Sequence, residues 1–126
     1  SLEICRAQDG GVAGSLFAEV DRCVTAAGRR LLGSDLAAPL TDRAAIEQRL
    51  DLVAWLHEDA LRRQRVRQML RSLPDVGRAL GRLVAGRGGP RDLAALRDGL
   101  AGASELADTL ERQALRPMLL DRLLPD

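Results

Sequence analysis

Few side chains among these 126 residues can carry chemistry, and their spacing decides which chemistry is open to them. His57 is the single histidine. It could serve as a base near neutral pH, but no serine or cysteine nucleophile motif lies beside it and its neighbours are charged. It reads as a solvated histidine at a helix end. Cys5 and Cys23 lack the C-x-x-C spacing of a redox or zinc pair, and one histidine does not complete a zinc site. All 19 basic residues are arginine. Without lysine there is no phosphate-loop lysine, no Schiff base and no lysine general base. The glycine-rich stretch from Gln8 to Gly14 therefore reads as a flexible connection, since a phosphate cradle would need G-x-x-x-x-G-K-[ST]. What remains is Arg63, Arg67 and Arg71, a basic stripe at four-residue spacing that could meet phosphates or simply solvate a helix. No aromatic residue interleaves it, so stacking on bases is not expected. No catalytic, cofactor-binding or metal-binding residue is assigned.

The elements that would hold such a stripe are helices. Apolar residues make up 46% of the chain, yet it has one Trp, one Phe and no Tyr, so the core must be built from Leu, Ala and Val. The first two are strong helix formers. The expected fold class is all-α, an irregular array of about six to seven helices. A net charge of +1 gives no global field to draw the chain to nucleic acid or a membrane. No apolar run approaches the roughly 18 residues of a membrane span, and a cytoplasmic location is expected.

The expected layout is an extended lead-in and glycine-rich loop over 1–14, then a helical body over 15–126. Ser15 caps a short helix. Thr25 is placed to cap the central one, in which Gly28, Leu32 and Leu36 share a face, and Pro39 stops it. Thr41 or Asp42 opens a helix whose apolar face is Ile46, Leu50, Val53 and Leu56 or His57, with Trp55 at the boundary. Asp59 restarts the chain, and Leu61, Val66, Met69, Leu70 and Leu73 face inward. Ser72 is the expected cap of the next helix, with Pro74 in its first turn and Val76, Leu80, Leu83 and Val84 on one side. Pro90 starts another, with Leu93, Leu96 and Leu100 inward and a break at Gly102 and Ala103. A last leucine stripe, Leu106 to Leu123, is interrupted near Pro117.

Several ordered blocks carry a family resemblance. They are Asp21 with Val24-Thr25 and Gly28-Arg29-Arg30-Leu31-Leu32, then Pro39-Leu40 and Arg49-Leu50, and finally Gly86-Arg87 with Pro90-Arg91-Asp92-Leu93. In this order the chain resembles the core, or lever, domain of the MutS DNA mismatch repair family, over nearly its whole length. Asp35 departs from the pattern, standing where family members commonly place a tryptophan. The resemblance implies a non-catalytic lever that couples an ATPase domain to a DNA clamp in a longer protein, and that protein works as a dimer on DNA. ATP and Mg would be held by the longer protein, and no cofactor by this segment. Its implied partners are the remainder of that chain, with weak or no direct DNA binding, no membrane, and self-association through the Leu106, Leu110, Leu115 and Leu119 seam. The alternative is a stand-alone helical interaction module.

Overall fold

The computed structural model describes residues 15–126; the expectations for 1–14, Cys5 among them, lie outside these. Seven helices and no strand occur among the described residues. The chain divides after Thr41 into two compact units.

The first unit holds α1 (Leu16–Val20) and α2 (Ala26–Ala37), which pack together. Ser15 Oγ accepts from the Ala18 amide at 3.2 Å, so the short helix starts on its own cap. Asp21 then shapes the connection, accepting from the Cys23 amide at 3.0 Å and pairing with Arg29 at 2.8 Å. That amide, chiefly, and then Arg29 hold the Asp21 carboxyl below its ordinary range. Thr25 Oγ1 accepts from the Gly28 amide at 2.9 Å. Gly28 is tied to this cap, because a β-carbon there would stand 2.9 Å from Thr25 Oγ1. Gly28, Leu32 and Leu36 are half-buried as the spacing predicts, and Asp35 is half-buried with them. The helix ends at Ala37, two residues before Pro39.

The second unit holds α3 (Arg43–Glu58), α4 (Ala60–Ser72), α5 (Val76–Val84), α6 (Pro90–Glu111) and α7 (Met118–Leu123). Of the two candidate caps for α3, Asp42 is the one used, accepting from Ala45 N at 2.9 Å, and Asp59 caps α4 through Arg62 N at 2.9 Å. Ser72 does not cap α5. It ends α4, and Asp75 takes the cap by accepting from Arg78 N at 3.1 Å. Pro74 explains the shift: it keeps Leu73 extended, so the new helix starts only after the proline.

The inward faces match the leucine spacing only in part. On α3, Ile46, Leu50 and Val53 are exposed, the last two at 59% and 61%, while Leu52, Trp55 and Leu56 face in. Trp55 is 7% exposed, a core residue rather than a boundary one. On α4, Val66, Met69 and Leu70 are half-buried as predicted but Leu61 is exposed. Helix α5 buries Ala79 with Val76 and Leu83 beside it, leaving Leu80 and Val84 outside. Helix α6 turns in Ala95, Leu96, Gly99 and Gly102, while Leu93 and Leu100 are exposed.

The reason is close approach. A β-carbon on Gly99 would fall within the Val76 side chain, and one on Gly102 within Leu73. Small residues therefore admit the segment joining α4 to α5 against the flank of α6, and α6 runs through Gly102 and Ala103 without a break. The glycine propensity cost of about 1 kcal/mol each is offset by this packing. Between α5 and α6 the chain turns on Gly86, whose φ of 72° is left-handed. The Arg87 amide donates to the Arg82 carbonyl at 2.9 Å and the Gly86 amide to that of Leu83 at 3.1 Å, which closes α5 by paired end bonds. Pro117 separates α6 from α7, as the sequence predicts, and Leu120 of α7 is buried.

Candidate functional site

Helix α4 is the most basic element of the fold, with five arginines and no acidic residue between Ala60 and Ser72. Two of the five are engaged in the architecture. Arg62 lies 3.9 Å above the Trp55 ring, donates to the Trp55 carbonyl at 2.9 Å and reaches Gln113 Oε1 at 3.3 Å. With the Trp55 indole donating to the Ala114 carbonyl at 3.4 Å, this hub joins α3 and α4 to the connection after α6. A guanidinium stacked on an indole and largely withdrawn from water is attracted by about 1–2 kcal/mol. The sequence offers one sign of this hub, its only tryptophan standing seven residues before an arginine.

Arg63, first of the predicted stripe, donates to the carbonyls of Leu56 and His57 at 3.2 and 2.8 Å, closing the C-terminus of α3. A cation there satisfies carbonyls that have no partner within the helix and opposes their dipole. Arg67 and Arg71 make no side-chain hydrogen bond or ion pair with the described residues. The structure does bring the three together, with Ala60 and Gln64, along a groove of about 360 Å³. Arg65 is exposed on the same helix.

A second polar groove, of about 440 Å³, lies between α5 and the start of α6 and is lined by Arg78, Arg82, Arg91, Asp75 and Asp92. Asp92 accepts from the Gly89 amide at 2.9 Å and faces Arg82 Nε at 3.4 Å. The Gly89 bond, foremost, with the charges of Arg82 and Arg78, holds its carboxyl below the ordinary range. Here a carboxylate is tied up by its neighbours rather than poised to exchange protons. His57 is exposed in the last turn of α3, and Cys23 is half-buried. Among the described residues no three His, Cys, Asp or Glu side chains converge as metal ligands, and no helix is long and apolar enough to cross a membrane. The apolar seam predicted for the last helices is partly closed by α7, leaving a groove of about 440 Å³ along Leu106, Leu110, Leu120 and Leu123. Leu115 lies outside it, 93% exposed at a φ of 55°.

Among the described residues, an all-helical body with an arginine-rich helix on its surface is the class that fold and surface define. The chain belongs to the MutS domain III family, whose model matches residues 1–124. It is 57% identical over 125 residues to a DNA mismatch repair protein MutS of Erythrobacter litoralis, covering 99% of this chain and 14% of that relative. It is 50% identical over 126 residues to the protein of that name from Zymomonas mobilis, covering all of this chain and 14% of the relative. With that from Rhodopseudomonas palustris it is 51% identical over 117 residues, 93% of this chain and 13% of the relative. The chain thus spans about 14% of the length of the curated relatives it matches. No solved structure matches it.

Proposed function

We propose that this chain is the non-catalytic lever of a MutS-like mismatch repair protein, a helical body that passes conformational change between an ATPase and the elements that close on DNA. The observation that carries the reading is the whole-length match to MutS domain III in a chain about one seventh of its relatives' length. Two structural features support it. Coupling between distant sites needs elements with discrete arrangements, and α6 is a 22-residue helix locked against Leu73 and Val76 through glycines. Leucine and valine faces also remain exposed on α3, α5 and α6, the pattern of helices meant to be covered on more than one side inside a larger body. ATP and Mg belong to the longer cytoplasmic protein, which acts as a dimer on DNA. Any direct contact of this segment with DNA is weak, and when isolated it self-associates through its apolar faces.

The test uses the full-length protein carrying Gly102→Leu, which wedges α6 away from Leu73. Mismatch binding and basal ATP hydrolysis persist, while ATP-triggered release from a mismatched duplex slows at least about fivefold, the low end of ordinary allosteric coupling. Unchanged release in a variant whose melting behaviour proves the seam open would overturn the reading.

A further inference from the structure

The net charge of +1 conceals a segregation. From Ala60 to Arg91 the sequence holds nine arginines and one acid, Asp75, whereas the other residues hold ten arginines and seventeen acids. The fold places this segment as α4, α5 and the turn into α6. Three of its cations are engaged within the molecule, Arg62 on Trp55, Arg63 on the end of α3 and Arg82 on Asp92. Arg65, Arg67, Arg71 and Arg78 make no hydrogen bond or ion pair through their side chains with the described residues.

We infer that the face of α4 lined by Gln64, Arg67 and Arg71 is a docking face for the phosphate backbone of duplex DNA, with Arg67 and Arg71 as its cations, Arg63 at its near end and Gln64 as a neutral donor. The inference rests on the reading that the longer protein works on DNA. Residues four apart on a helix are separated by about 6 Å along its axis, so the stripe from Arg63 to Arg71 extends about 12 Å. A DNA strand presents a phosphate about every 3.4 Å of duplex axis, so several fall within that reach. No carboxylate on α4 competes for the guanidinium groups. Arginine suits the task because its planar fork binds phosphate oxygens in pairs. The face carries no aromatic side chain to stack on bases, so it grips the backbone without reading sequence or mismatch.

The test is fluorescence anisotropy of the 126-residue chain on a labelled, fully paired duplex across a salt series. The expected log–log slope is about −2, from about two phosphates neutralised. Arg67→Gln/Arg71→Gln should weaken binding at least about tenfold at low salt and flatten the slope by about 2. Arg43→Gln/Arg112→Gln removes the same charge from exposed sites outside the segment and should change the slope by less than about 1. Arg71→Gln alone alters an exposed position, should flatten the slope by about 1, and serves if the double variant loses its helicity. Equal losses in the two double variants would mean that net charge alone is at work and would overturn the inference. So would displacement of the duplex by polyglutamate as readily as by unlabelled DNA, since the face would then suit an acidic protein. A negative result here leaves the lever reading intact, because ATP-triggered release does not depend on α4 touching DNA.

Discussion

The second unit contains two helix junctions built by opposite means. Around Trp55, one large side chain fills the space among α3, α4 and the connection after α6, and Arg62 covers its ring. Along α6, the space is removed instead: Gly99 and Gly102 give up their side chains so that Val76 and Leu73 can sit against the helix. The first junction stores its energy in buried area and fails when atoms are taken away. The second depends on backbone proximity and fails when atoms are added.

The largest expected effect tests the first half of that contrast. Trp55→Ala should cost about 3–5 kcal/mol, the range for deleting a buried aromatic, and it strands Arg62 without its ring. Urea unfolding followed by far-UV circular dichroism reads this, and a loss under about 1 kcal/mol would show that the hub is not a core. Gly99→Ala tests the second half and should cost about 1–3 kcal/mol by overpacking. Adding Val76→Ala should recover part of that loss, because the added methyl group then occupies the space Val76 vacated. Strictly additive losses in the double variant would refute the glycine account.

The smallest effect concerns acid. The Asp92 carboxyl is held below its ordinary range by the Gly89 amide and then by Arg82, so the stabilisation it gives is complete above its unfolded value of about 3.9. It is lost as pH falls through the lower folded value. The Asp92→Asn variant, which keeps an acceptor for Gly89 but no charge for Arg82, should therefore melt below the parent chain at pH 6, with the gap starting to narrow only as the pH drops below about 4. A gap that holds constant into acid would assign the effect to shape instead of charge.

The same contrast explains what the sequence discloses. Caps are local, and Ser15 and Thr25 were legible because a short polar side chain just ahead of a helical run can accept from the free amides of its first turn. The all-helical class and the interruption at Pro117 follow from composition and from proline's missing amide. The inward faces do not follow, because α3, α5 and α6 carry apolar residues on more than one side and periodicity alone cannot rank them. Leucine spacing picks Ile46, Leu50 and Val53, whereas tertiary approach selects Leu52 and Trp55. Gly102 looks like a break because a contact made by omission leaves no side chain to read. The α4 stripe was legible as a spacing, but its setting was hidden because a total charge of +1 says nothing of where the charges lie.

The glycine seam also determines how α6 responds to force. Most helix contacts yield a little, since their side chains can hop between rotamers and absorb a push. Gly99 and Gly102 have no rotamers, and the β-branched Val76 facing one of them is stiff about χ1. A rod of 22 residues is about 33 Å long, and a tilt of about 5° imposed at one end displaces the other by about 3 Å. That distance is about the length of a hydrogen bond. Along this edge a small rotation is carried through as motion instead of being dissipated in side-chain rearrangement.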